Sequence, residues 1–151
     1  DEAKRGIEEL RKRFNMIISV GIHIRRGDFV PNEKKGFKTA PISYFNVAKE
    51  KFSRVNQTVF FIVVSDDIEW AKKNIKGENV EFYRGSSVSV DLAVLAHCDH
   101  IIISSGSFGW WAAWLNGGSV IYYKGYPSPG SVLMRLFNMT QYYYPEWLGM
   151  E

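Results

Sequence analysis

The chain has 151 residues, 46% of them hydrophobic and 23% charged, with a net charge of +3. Such proportions fit one globular domain and exclude a disordered chain, a collagen or a coiled coil. The single cysteine, Cys98, excludes an internal disulfide, and no apolar run reaches the roughly 18–20 residues of a membrane helix. The small basic excess, scattered rather than striped, argues against nucleic acid but suits an anionic small ligand. The sequence opens at Asp1 with no initiator Met and no signal segment, as expected of a piece of a longer protein.

Glu2 to Phe14 is charged, with Ile7, Leu10 and Phe14 at spacings of three and four, which predicts a surface helix with one apolar stripe. Met16 to Ile24 is β-branched and apolar and predicts a strand. Phe29 to Ala40 reads as a polar loop, and Pro41 opens a helix with Phe45, Ala48, Phe52 and Val55 on one face. Thr58 to Val64 is apolar on both faces, as a buried parallel strand must be. Asp66, with Glu69 three residues on, predicts the cap of a helix that Gly77 ends. A short strand over Val80 to Tyr83 and an apolar helix over Val90 to His97 follow. Ile101 to Ser104 is the next strand, and Phe108 to Leu115 is a helix stopped by Gly117-Gly118. Val120 to Tyr123 is a fifth strand, and Tyr142 to Met150 reads as an aromatic, irregular tail. Strand and helix alternate throughout. The expected fold is a Rossmann-like, doubly wound α/β/α sandwich with a mostly parallel sheet, one domain over residues 1–151.

In such folds ligands bind beyond the carboxyl ends of the strands, at the switch point. After the first strand comes His23-Ile24-Arg25-Arg26-Gly27-Asp28, with His23 and Arg25 on one strand face and Val20, Ile22 and Ile24 on the other. An arginine fork matches two phosphate oxygens. The plainer reading pairs Arg25 or Arg26 with Asp28 or Asp66; phosphate is preferred because no acidic cluster large enough to neutralise both arginines is evident. After the fourth strand, Ser104-Ser105-Gly106-Ser107-Phe108-Gly109 leads into a helix, whose free N–H groups suit an anion, although serine is equally a common cap. The two features together suggest a diphosphate across the switch point. Neither the dinucleotide glycine pattern nor a P-loop is present.

Asp66-Asp67 reads better as a helix cap than as a metal pair, and His97-Cys98-Asp99-His100 lacks zinc-type spacing, so no metal ligands are assigned. Ser107 lacks the nucleophile elbow of a serine hydrolase. Trp110, Trp111 and Trp114 read as core. Asp91, in the first turn of an apolar helix, suits a cap or a ligand's N–H groups equally well.

The segments VGIHIRRGD, SDD–IEWAKKNI, DLAVLAHCDHIIISSGSFGWWAAWL, IYY and PEWLGM, in this order from about Val20 to Met150, resemble the α-1,2-fucosyltransferases of glycosyltransferase family 11. The resemblance implies an inverting transferase that moves fucose from GDP-β-L-fucose to the 2-hydroxyl of a terminal galactose or similar sugar, without an obligatory metal. It also implies two Rossmann-like domains of the GT-B type, this chain matching the C-terminal, donor-binding one. By match, Arg25 and Arg26, with His23 beside them, are expected at the donor pyrophosphate. Asp91, Ser105, Ser107 and neighbouring Phe108 are expected near the nucleotide. Arg25 would stabilise the leaving diphosphate, and Asp28 is a candidate base that could equally pair with Arg26. The expected partners are a nucleotide sugar and a glycan acceptor. Animal members are type II Golgi membrane proteins, so the membrane would be met only through an anchor outside this chain. Two sequons, Asn56-Gln57-Thr58 and Asn138-Met139-Thr140, fit a lumenal location. A metal-independent transferase for another nucleotide sugar, and a non-catalytic nucleotide- or sugar-binding domain, remain the alternatives.

Overall fold

The computed structural model describes residues 2–55 and 58–151. Helix α1 (Glu2–Phe14) buries Ala3, Ile7 and Leu10 and carries Arg11, Lys12 and Arg13 at its last turn, where cations suit the dipole. Strands β1 (Ile18–Ile24) and β2 (Val59–Ser65) are apolar and buried nearly throughout, because helices cover the sheet on both sides. The remaining strands are β3 (Val80–Phe82), β4 (His100–Ile103), β5 (Val120–Tyr123) and β6 (Leu148–Met150). All pairings are parallel, in the order β3-β2-β1-β4-β5-β6. The winding direction reverses between β1 and β4. That reversal is the switch point of a Rossmann-like sheet.

Val20, Ile22 and Ile24 of β1 pack with Tyr44, Phe45 and Ala48 of α2 (Ile42–Val55) and Ala71 of α3 (Ile68–Asn74). The opposite face packs under α1, α4 (Val88–His97) and α5 (Ser107–Asn116), through Ile7, Val94, Leu95, Ala112 and Ala113. The α/β/α layering is as the alternation of elements predicts. Asp99, between α4 and β4, accepts hydrogen bonds from Ser19 N, Ser19 Oγ and Arg11 Nη2, tying α1 and β1 to the start of β4. Burial pushes its carboxyl up, but the Ser19 bonds and Arg11 outweigh that and hold it below its ordinary value. At the other end of α1, both carboxylate oxygens of Glu2 accept from Ser86 of the β3–α4 loop, at 3.0 and 2.6 Å.

Four expectations need correcting. Asp67, not Asp66, caps α3, accepting from Trp70 N at 3.1 Å, because Asp66 is turned toward the arginines. That helix ends at Asn74 rather than Gly77, since Ile75 turns extended and buries at 1% exposure. The segment Phe29 to Ala40 contains a 3-10 turn at Val30–Lys35, and Phe29 and Ala40 are buried anchors in it. The tail is not wholly irregular: Met139–Tyr142 is a helical turn, α6, and β6 pairs with β5 through Ile121↔Leu148 to Tyr123↔Met150.

Candidate functional site

The carboxyl ends of β1 and β4 lie side by side, with His23 registered on Ile103. Ser104 locks them together: its N–H donates to the His23 carbonyl at 3.1 Å, and its Oγ accepts from Arg25 N at 2.8 Å. His23 points to the α5 side, as strand alternation predicts, and packs on Phe108 with ring centroids 5.2 Å apart. A Cβ at Gly109 would overlap the histidine Nδ1, so this glycine makes room for the ring. Burial, and secondarily the Arg25 charge, drive the His23 pKa down to about 3, so the ring is neutral. Its Nδ1 and the buried Ser105 Oγ have no hydrogen-bond partner among the described residues.

Arg25 projects from this junction, with its side chain 34% exposed. Its Nη2 pairs with Asp28 at 2.8 Å, its Nε reaches Asp66 at 3.4 Å, and the guanidinium lies over Phe29. Arg26 turns the other way. Its Nε meets Asp67 at 3.3 Å, its guanidinium stacks 4.1 Å from the Trp70 ring, and its N–H donates to Asp66 Oδ1. The expectation that no acidic cluster could neutralise both arginines therefore fails: the fold brings Asp66 and Asp67 from the end of β2 beside Asp28. Asp28 pairs with Arg25, not Arg26.

Two clefts meet at Arg25 and Phe108, which line both. The first, ≈ 370 Å³, lies between β2 and the β3–α4 loop, with Asp66, Arg84, Gly85, Ser87 and Asp91 on its walls. Asp91 Oδ1 accepts from Gly85 N at 2.6 Å, so the carboxylate braces the loop while facing the cleft. The cap of α4 is Ser87, which leaves Asp91 free of that duty. The second cleft, ≈ 510 Å³, holds Asp28, Ser105, Ser107 and the aromatic rings of Phe29, Phe37 and Tyr142. The α5 N-terminus opens into it. Its cap residue is Gly106 at φ +86°, a conformation glycine adopts without strain, and no side chain caps the first N–H groups. Arg25, Asp28, Ser105, Ser107 and Phe108 thus line one cleft, with His23, Arg25, Phe108 and Asp91 on the other. Arg26 lines neither.

Residues 2–151 match the family described as glycosyl transferase family 11. The chain belongs to this family. It is 36% identical over 139 residues to galactoside 2-alpha-L-fucosyltransferase SEC1 of Bos taurus, covering 87% of this chain and 38% of that protein. It is 37% identical over 140 residues to galactoside alpha-(1,2)-fucosyltransferase 2 of Sus scrofa, covering 87% of this chain and 41% of that protein. The chain thus spans about two fifths of the length of these relatives. A crystal structure of NodZ alpha-1,6-fucosyltransferase soaked with GDP-fucose superposes with a TM-score of 0.52 at 16% identity. That likeness covers 82% of this chain and 44% of the other, and it concerns the fold.

For a family 11 chain, the sequence reading of the site omits Arg84, Ser86 and Ser87, which directly follow β3 and line the first cleft. The rule that points to the ends of β1 and β4 points equally to them. It also omits the rings of the second cleft, because Phe29 and Phe37 sit in a segment otherwise polar. The four residues His97 to His100 do not converge: His97 is exposed, Cys98 is buried with its thiol pushed up to about 12, and Asp99 serves Ser19 and Arg11. His100 Nδ1 accepts from Ser119 N. Among the described residues no group of three or more His, Cys, Asp or Glu could hold a metal ion, and no helix is long and apolar enough to cross a membrane. Trp111 and Trp114, expected in the core, are about half exposed at 52% and 49%. The sequon at Asn56 falls outside the described residues, and Asn138 of the other is exposed.

Proposed function

We propose that this chain is the donor-binding domain of an inverting α-1,2-fucosyltransferase, with GDP-fucose laid across the two clefts. The observation that carries this reading is Arg25: a guanidinium at the switch point, shared by both clefts and beside the uncapped N-terminus of α5. A nucleoside in the first cleft would present guanine N–H groups to Asp91. The diphosphate would then lie between Arg25 and the first N–H groups of α5, where both a charged fork and a helix dipole favour an anion. The sugar would enter the second cleft.

In the transfer step, the acceptor 2-hydroxyl oxygen forms the new bond to the anomeric carbon as the bond to the β-phosphate oxygen breaks. The bonding pair leaves on GDP. Arg25 and the α5 terminus meet the charge that grows there, work a metal does in other transferases. The hydroxyl proton must pass to a base, and Asp28 on the wall of the second cleft is the candidate. His23 stays neutral and fills the junction rather than moving protons. The full protein would supply the facing wall of the acceptor cleft, a second domain and the membrane anchor of a Golgi enzyme, as its relatives' greater length allows.

The test uses the full-length protein. Calorimetric titration should find GDP tighter than UDP or ADP, and Arg25→Lys should weaken GDP about tenfold or more, because the charge stays but the paired bonds are lost. Asp28→Asn should lower kcat by about 10²–10⁴-fold, the usual worth of a positioned base, while GDP affinity does not fall, because one carboxylate competing for Arg25 is removed. Equal binding of the three nucleotides, or wild-type binding by Arg25→Lys, overturns the assignment. Full binding without transfer to any galactoside would make the protein a non-catalytic nucleotide binder.

A further inference from the structure

The second cleft continues past Tyr142. Ser107 and Tyr142 also line a shallower depression of ≈ 280 Å³, whose other walls are Trp110, Trp111 and Gln141. Ser107, Trp110 and Trp111 stand at i, i+3 and i+4 on α5, so one helix face carries the donor-side hydroxyl and both indoles. Trp110 is pinned: its indole N–H donates to the Tyr142 carbonyl at 2.7 Å, and its ring meets Trp111 edge-to-face at 5.0 Å. Trp111 is 52% exposed. Neither its indole N–H nor the exposed Gln141 carboxamide makes a hydrogen bond to a described residue.

We propose that this shelf is a subsite for the second sugar of the acceptor glycan, the unit to which the fucosylated galactose is attached. The proposal rests on the donor reading above and adds what that reading leaves open, namely that this domain itself selects for acceptors longer than one sugar. A pyranose ring has an apolar C–H face and a rim of hydroxyls. A fixed indole offers a flat surface with a negative face, and little conformational entropy remains to be lost on binding. A carboxamide both donates and accepts, so Gln141 matches a hydroxyl in either role. Among the described residues no charged side chain lines the shelf, which disfavours an ionic partner. Position makes the same case. The acceptor hydroxyl must meet the anomeric carbon in the second cleft, and the side toward Arg25 is taken by the diphosphate. The next sugar must therefore leave by an open side, and the Ser107–Tyr142 rim opens onto the shelf.

The experiment compares two acceptors with the full-length protein: methyl β-galactoside, which ends at the reacting sugar, and lactose, which extends one sugar beyond it. Trp111→Ala should raise the KM for lactose about tenfold, as loss of one aromatic contact allows, and leave the KM values for the monosaccharide and for GDP-fucose unchanged. Trp111→Tyr should restore most of the loss. An equal rise for both acceptors would mean that Trp111 serves the fold or another part of the polypeptide, and no rise would mean an idle ring. Either overturns the subsite. Transfer to neither acceptor by the unaltered protein tells against the transferase reading instead, while GDP titration tests donor binding separately. In that case saturation-transfer NMR reads the shelf without turnover: the glucose-ring signals of lactose must depend on Trp111, and signals insensitive to Trp111→Ala overturn the proposal.

Discussion

Arg25 arrives at the cleft already paired, and that changes what a ligand must do. Its two carboxylates, Asp28 and Asp66, hold the guanidinium in place at the expense of its free charge, so a diphosphate bound as proposed would have to share it. Arg26 has a different occupation, since Trp70 and Asp67 fix it to the start of α3. His23 beside them has a consequence measurable without ligand. An unfolded chain takes up its proton near 6.5, whereas the folded ring resists protonation down to about 3, chiefly through burial. Between those values the unfolded state holds more protons, so stability falls as the pH drops from 6.5 toward 3. Each unit of that separation is worth about 1.4 kcal/mol at most. Thermal melts across this window should show the loss, and His23→Gln should flatten the slope. A slope equal in the variant would place the acid sensitivity elsewhere.

At the scale of elements, α5 approaches β1 closely because position 109 has no side chain. A methyl group there would overlap His23 Nδ1 and press on its Cε1 and Cγ, so the ring or the helix must shift. Gly109→Ala is therefore expected to lower stability by about 1–3 kcal/mol, the usual cost of overpacking, despite alanine's better helix propensity. Denaturant titration of Gly109→Ala against wild type reads this, and a neutral or stabilised variant would show that α5 can slide outward freely. Such sliding would also move the N–H groups of α5 relative to Arg25. The close packing of α5 thus sets where its N-terminal N–H groups sit relative to Arg25, and with it the geometry of the proposed anion site.

Across the whole molecule, the parts legible in the sequence are those written in consecutive residues. The unbroken apolar run from Val59 to Val64 announces a doubly covered strand, and His23-Ile24-Arg25 announces a strand end that carries polar groups. Asp28 and Asp66 can be named from the sequence as candidate partners of the arginines, but not that both meet Arg25 while Asp67 meets Arg26. Asp28 and the Asp66-Asp67 pair are some 40 residues apart and converge only when β1 and β2 align in register. Strand β6 escaped for another reason. Leu148-Gly149-Met150 has no pattern of its own and becomes a strand only by completing β5. The exposed tryptophans misled because an aromatic at helical spacing looks the same whether it faces a core or a shelf.

The parallel sheet and the Glu2–Ser86 contact together fix where the ends of the chain lie. Strand β6 runs the same way as β1, so Met150 finishes at the ligand-bearing edge, with its carbonyl accepting from Lys124 N. Helix α1 starts at that edge and runs away from it, with Glu2 gripping the loop that walls the first cleft. The start of α1 therefore lies beside the first cleft, and the end of β6 lies on the same carboxyl edge of the sheet, two strands beyond β4. A tag fused ahead of α1 would therefore sit beside the first cleft, the one proposed for the nucleoside. GDP titrations on tagged protein should accordingly give weaker binding and slower association than on protein from which the tag has been cleaved. Identical titrations before and after cleavage would show that the mouth is wide enough to ignore its own termini. Immobilisation through either end presents the domain to a surface with its ligand edge facing down, so a sensor experiment calls for attachment through an exposed side chain of α2 instead, such as Lys51.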